Sequence, residues 1–242
     1  MNDSKTTVGI IGLGSFGAFL AGLIPKEARV IGCDSNPERT VPGVATAAFE
    51  EVARASVVLL AVPLDTLPGV LERIKGVIRP ETLLIDVCSA KVKPGELYAD
   101  ILSAHGNLLL THPLFGPQSA AGGTAGHRLI VTKMQGEAAQ KAVVFCSRQL
   151  GLEVHHMSAE EHDMVMARVH ALTFFVARGL GNMGLTDELF MTPSYKMLMD
   201  LVRLDKTHSG ELFKTIEQGN PYARQQRQRL MDSFAEIEAS LE

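Results

Sequence analysis

The sequence predicts an α/β protein: a mostly parallel sheet with helices on both faces, followed by an all-helical domain. Three observations carry that expectation. Apolar runs such as Val57-Val58-Leu59-Leu60-Ala61-Val62 and Thr82-Leu83-Leu84-Ile85-Asp86-Val87 show no polar alternation and are separated by helical stretches. That is the pattern of strands buried on both faces of a parallel sheet. A glycine-rich turn, Gly12-Leu13-Gly14-Ser15-Phe16-Gly17, lies between the first apolar run and an apolar helix. From Ser158 onward the pattern is helical throughout. Residues 1–157 therefore read as a nucleotide-binding domain and residues 158–242 as a helical substrate and dimerisation domain.

Composition narrows the classes. With 242 residues, 46% apolar and 21% charged, the chain can bury a substantial core. A net charge of −4 and a pI near 6.1 leave no basic footprint for nucleic acid. No segment approaches the ~18 apolar residues of a membrane span, and the first residues lack a basic leader pattern. Cys33, Cys88 and Cys146 are odd in number and widely spaced, which suits reduced thiols in a cytoplasmic protein.

In chain order, residues 7–12 read as a buried strand that runs into the glycine turn and then a helix to Ile24. This is G-x-G-x-x-G in its required context, the fingerprint of a Rossmann-type domain. Gly12 permits the tight turn, Gly14 lets a pyrophosphate approach the backbone, and Gly17 lets helix and strand pack. The positive helix end, at Ser15 and Phe16, then faces the phosphates. A second strand, residues 29–33, ends in Asp34, about 20 residues beyond the turn. An acid there accepts the adenosine ribose hydroxyls and repels a 2′-phosphate, which predicts NAD. Ser35, Asn36 and Arg39 stand close enough to host a phosphate, so NADP stays possible.

Further units repeat the pattern: a helix over 49–55, a strand over 57–62 ended by Pro63, a helix over 65–77 and a strand over 82–87. Next come a helix over 91–104, a strand over 107–110, and strands near 128–132 and 152–155 around a helix over 137–150. After the strand at 107–110 comes Thr111-His112-Pro113-Leu114-Phe115-Gly116-Pro117-Gln118-Ser119, read as a rigid turn. Parallel sheets bind ligands beyond the carboxyl ends of their strands. Gly14, Asp34, Pro63, Ser89 and His112 each follow a strand end and so converge on one rim. A histidine fixed there suits a proton acceptor near neutral pH.

The capping-box pattern Ser158-Ala159-Glu160-Glu161 starts a helix that can run to about Met183. Val165, Ala167, Val169, Leu172, Phe174, Phe175, Val176 and Leu180 occupy more than one stripe of it. A helix apolar on several sides is buried on several sides. The remaining chain is too short to cover it, so a homodimer through this helix is expected. Helices near 193–206, 209–217 and 221–241 close the chain.

At Asp86-Val87-Cys88-Ser89-Ala90-Lys91, followed by Thr111 to Pro117, the chain resembles the prephenate/arogenate dehydrogenase family of tyrosine biosynthesis. The resemblance runs nearly end to end and is closest to the short, arogenate-dehydrogenase-like branch. It includes the glycine turn, Ala61-Val62-Pro63, Ala159-Glu160-Glu161-His162-Asp163 and Asn220-Pro221-Tyr222. It implies a dimer through the helical domain, a catalytic His112, and a Ser89 that touches the substrate hydroxyl. Cofactor contacts fall to Gly12, Gly14, Ser15, Phe16, Gly17, Asp34, Val62 and Pro63. The implied reaction is NAD(P)-dependent oxidative decarboxylation of prephenate, with arogenate as the alternative substrate.

Departures from the family lie in the helical domain. Many members carry a second histidine where this chain has Phe174. His170, one turn earlier, is either a substrate contact or a packed histidine. Arg203 lies near a position from which relatives grip a substrate carboxylate, and a surface arginine is the other reading. Where plant arogenate enzymes have an acid, the chain has His208, which favours prephenate. Ser119, in the loop after His112, joins the candidate substrate contacts. His155, His156 and His162 match no metal-ligand spacing, so no metal is expected.

Two other readings compete. A hydroxy-acid or imine oxidoreductase of the same build would need a donor such as lysine on the long helix, and residues 160–184 contain none. A catalytically silent NAD sensor could dispense with both Ser89 and the His-Pro turn, which are present.

Overall fold

The computed structural model describes residues 6–206 and 208–241. The chain divides into two compact units, Met1–Ala159 and Glu160–Glu242.

The first unit alternates strands and helices: β1 (Thr7–Ile11), α1 (Ser15–Leu23), β2 (Arg29–Cys33), β3 (Ala45–Thr46), α2 (Phe49–Ala53), β4 (Val57–Leu60), α3 (Leu67–Lys75), β5 (Leu83–Asp86), α4 (Val92–Ile101), β6 (Leu108–Pro113), β7 (Arg128–Gln135), α5 (Glu137–Arg148) and β8 (Glu153–His156). The sheet order is β3-β2-β1-β4-β5-β6-β7-β8. Its first six strands are parallel and follow the Rossmann order 3-2-1-4-5-6. β7 then runs antiparallel to β6, and β8 parallel to β7. A mostly parallel sheet is therefore observed.

The unbroken apolar runs have a direct explanation. Leu84, Leu108 and Leu110 enter a core with Leu67, Leu71, Ile74 and Tyr98, whereas Leu83 and Leu109 enter a second core with Val131 and Ala139. Successive strand residues point to opposite faces, so both faces must be apolar.

Several boundaries differ from expectation. Helices α3 and α4 begin at Leu67 and Val92, later than residues 65 and 91. Pro68 and Pro94 then fall in the first turn, where a missing N–H costs nothing. The two-residue strand β3 was not anticipated; it is too short to show a period. Residues 111–113 belong to strand β6 and not to a turn, and all six residues of β6 are buried. Pairing with β7 holds His112 opposite Ile130, and the register shifts between Leu110 and Thr111.

The helical part of the chain comprises α6 (Ala159–Met166), which starts at the boundary and enters the second unit from Glu160, then a π-helical turn (Ala167–Ala171), α7 (Leu172–Asn182), α8 (Pro193–Lys206), α9 (Gly210–Gly219) and α10 (Ala223–Ala239). The expected long helix is thus interrupted: the N–H of Leu172 donates to the carbonyl of Ala167, five residues back. Ala171, Phe174, Ile216 and Ala223 form the core, with Leu212 and Phe213 packed against it. Arg178 grips Asp205 through two bonds of 2.6 and 3.1 Å and stacks over Phe213. Among the described residues, no helix is long and apolar enough to cross a membrane.

Candidate active site

The carboxyl ends of β1, β2, β4, β5 and β6 build one rim. At β1, Gly12 has φ +94°, and its N–H donates 2.9 Å to the carbonyl of Cys33. A Cβ at Gly12 would collide with the carbonyl oxygen of Ala61, and one at Gly17 with that of Gly12. Both positions are therefore closed to side chains. At Gly14, the nearest atom to a Cβ would be Arg39 Nη1 at 3.8 Å, so space above the turn is open. Gly14 caps α1 without any side-chain acceptor, which leaves the first-turn N–H groups at Ser15, Phe16 and Gly17 for an anion. Val62 borders Gly12, and Pro63 starts the turn closed by Thr66 Oγ1 at 2.9 Å. A pyrophosphate fits this cradle, and a side chain at Gly14 would fill it.

Asp34 is fixed by its own surroundings. Its carboxylate accepts from the N–H of Leu13 at 2.7 Å and of Asn36 at 2.9 Å, and Arg39 approaches at 3.2 and 3.4 Å. Burial pushes its pKa up, but the two backbone donors and Arg39 outweigh that and hold it below the usual carboxylate range. The bond to Leu13 ties the acid to the glycine turn. Arg39 is half exposed and occupies the acceptor positions a ribose diol would use.

Ser89 follows β5, and its hydroxyl bonds no other described residue. His112, on adjacent β6, is 4% exposed. Lys91 belongs to the same motif as Ser89, two residues further on. Lys91 is fully buried and donates to the Asp86 carboxylate and, at 2.6 Å, to the carbonyl of Thr111. Thr111 Oγ1 donates 2.7 Å to the carbonyl of Asp86. The signal available was an acid ending an apolar strand with a lysine five residues on.

The loop after His112 is anchored through Phe115, whose ring meets Phe19 of α1 edge-on at 6.2 Å and His127 at 5.1 Å. Ser119 closes this loop on itself, accepting from the N–H of Gly116 at 2.9 Å.

In the second unit, Phe174 is held between two imidazoles: His170 at 4.9 Å and 74°, and His208 at 4.8 Å and 88°. Burial, then the proximity of His208 and His162, lowers the pKa of His170 to about 4. It is neutral at physiological pH. His208 Nδ1 lies 2.7 Å from the carbonyl of Leu204. Arg203 stands apart from this cluster, with its guanidinium engaged by Asp200 at 2.8 Å and by Asp187. The motifs at 159–163 and 220–222 meet: Asn220 donates 2.7 Å to the carbonyl of Asp163, whose carboxylate pairs with His162. Among the described residues, no group of three or more His, Cys, Asp or Glu could hold a metal ion.

A Rossmann sheet that ends on one rim in a glycine turn open at Gly14, with Asp34, Ser89 and His112 at strand ends, is the build of a dinucleotide-dependent oxidoreductase. The family described as "Prephenate dehydrogenase, nucleotide-binding domain" matches residues 22–145, about half of the chain, including Asp34, Ser89 and His112. The chain belongs to that family. Residues 179–242 match a family described as "TYRAAT1-like, C-terminal domain".

Arogenate dehydrogenase 2, chloroplastic, of Arabidopsis thaliana is 27% identical, covering 99% of this chain and 71% of that protein. Arogenate dehydrogenase 1, chloroplastic, of the same plant is 28% identical, and the chain spans only 40% of its length. Among solved structures, prephenate dehydrogenase from A. aeolicus in complex with hydroxyphenyl propionate and NAD+ has a TM-score of 0.72. It is 20% identical, and the match covers 98% of this chain and 88% of that one. At that identity the likeness is one of fold.

Proposed function

We propose that this protein catalyses the NAD-dependent oxidative decarboxylation of prephenate to 4-hydroxyphenylpyruvate, a step of tyrosine biosynthesis. One observation carries the reading: the free hydroxyl of Ser89 and the buried His112 stand on neighbouring strand ends of the rim that holds the phosphate cradle. Prephenate has a ring hydroxyl and, on the opposite ring carbon, a carboxylate. Ser89 orients the hydroxyl, and the His112 imidazole takes its proton as the carbonyl forms. The nicotinamide, when bound, accepts the hydride from the same carbon. Carbon dioxide leaves from the opposite carbon, its bonding pair enters the ring as the carbonyl π pair returns to oxygen, and His112 gives the proton back to that oxygen to leave the phenol. The N–H groups at Ser15 to Gly17 bind the pyrophosphate, and Asp34 holds the ribose hydroxyls. NADP is the second cofactor to test, because Arg39 lies within reach of a 2′-phosphate.

Arogenate is the second substrate to consider, because two relatives carry that name. Arogenate has an ammonium where prephenate has a keto group. The position where plant enzymes place an acid is His208 here, bonded to a carbonyl and stacked on Phe174. Ser119, His170, Arg203 and His208 remain the proposed contacts to the rest of the substrate. NADH formation with each substrate decides: a larger kcat/KM for arogenate overturns the preference for prephenate, and no NADH with either overturns the activity. Replacing His112 by Asn should lower turnover by about three orders of magnitude while NAD still binds. Near-normal turnover would remove His112 from the mechanism.

The same reading includes a homodimer in a reducing, cytoplasmic environment. Met183, Leu189, Phe190 and Met197 are each at least 70% exposed, an apolar load that a second copy would cover. Sedimentation equilibrium tests this directly, and a monomer at micromolar concentration refutes it.

A further inference from the structure

We propose that Lys91 is a positioning residue: its buried ammonium locks the strand end bearing His112 to the turn bearing Ser89. The inference rests on the activity proposed above and adds a residue to it.

The parallel ladder between β5 and β6 ends at the pair Asp86 and Leu110. On the other side of β6, the pairing with β7 shifts register between Leu110 and Thr111. Thr111 therefore stands where regular pairing lapses on both flanks, one residue before His112. Lys91 donates to its carbonyl at 2.6 Å, and Thr111 Oγ1 donates back to the carbonyl of Asp86 at 2.7 Å. The Asp86 carboxylate holds the Lys91 ammonium and accepts from the N–H of Cys88 at 3.2 Å, the residue before Ser89. One ammonium and one carboxylate thus fix both segments that carry the Ser–His pair.

Stability alone does not account for the pair. Burying two charges is costly, and apolar residues of similar volume are often at least as stabilising. The Lys91 and Asp86 side chains are 0% and 2% exposed, so a hydrophobic pair would fill the space. What it would not supply is a donor to the carbonyl next to the reacting imidazole. A displacement of about 1 Å there costs on the order of 100-fold in rate.

The test compares the wild-type protein with Lys91→Met and with Lys91→Met/Asp86→Asn. The double variant removes both charges, so the buried carboxylate is not stranded and folding is preserved if the single variant fails. Expected for both is a kcat about 100-fold lower, with the KM for NAD within about twofold. The double variant should also regain the urea midpoint lost by the single one. If it regains kcat to within about threefold of wild type, Lys91 merely neutralises Asp86 and the proposal falls. An equal loss of NAD affinity means general disruption of the rim and overturns it as well. Wild-type protein that forms no NADH with prephenate or arogenate overturns the activity and this inference together.

Discussion

Neutral His170 should make the folded state sensitive to mild acid. Its pKa is 6.5 when solvated and about 4 when folded, so unfolding takes up a proton wherever the pH lies between them. The sign follows from linkage: a depressed histidine contributes fully above its unfolded pKa, and the contribution is lost as pH falls towards the folded one. From pH 7 to pH 5 the loss is about 2 kcal/mol, and by pH 4 it approaches about 3 kcal/mol. The groups near His170 are His208 and His162, with Asp163 paired to the latter, and the two neighbouring imidazoles add to the penalty for charge. The assay is urea unfolding, followed by circular dichroism at a series of pH values, of wild type and His170→Gln. Glutamine loses packing against Phe174 at every pH but takes up no proton. The stability difference between the two proteins should therefore shrink by about 2 kcal/mol between pH 7 and pH 5. Parallel curves would show that the imidazole is solvated and that the Phe174 cluster is open.

The nucleotide end offers further tests. A Cβ at Gly17 meets the carbonyl of Gly12, so Gly17→Ala must push α1 away from the turn. NAD affinity by titration calorimetry should fall at least about tenfold, and unchanged affinity would refute the packing argument. Asp34→Asn removes the charge that repels a 2′-phosphate and releases Arg39. The ratio of NADP to NAD affinity should rise by about tenfold or more, and a fixed ratio would show that Arg39 does not reach the phosphate.

Much of the first unit was legible in the sequence because its signals are local. Glycine spacing, an acid at the next strand end and apolar runs without alternation each reflect one strand or one turn. What escaped depends on residues far apart in the chain. The bond from Lys91 to Thr111 spans 20 positions, and the Asp86–Lys91 spacing pairs the two charges without telling a buried lysine from a solvated one. The strand character of Thr111-His112-Pro113 was hidden because Pro113 argues for a turn, whereas partners on β7 decide the pairing. The interruption at Ala167–Ala171 left no trace either, since a π-helical turn adds one residue without breaking an apolar pattern that already covers several faces.

The register shift on β6 has one more consequence. Leu110 faces Lys133 and Thr111 faces Val131, so Thr132 is a supernumerary residue in β7. It works as a phase marker between two stretches of strand, each with its own inward set of side chains. Length changes should divide sharply along the chain. Insertions between Gly116 and Gly126 only enlarge a loop, and deleting Thr132 removes the bulge while keeping both pairs, whereas deleting a residue within Leu108–Pro113 would invert the facing of every residue on one side of it. A tiled single-residue deletion library would show that boundary as an abrupt drop in folded protein at the strand.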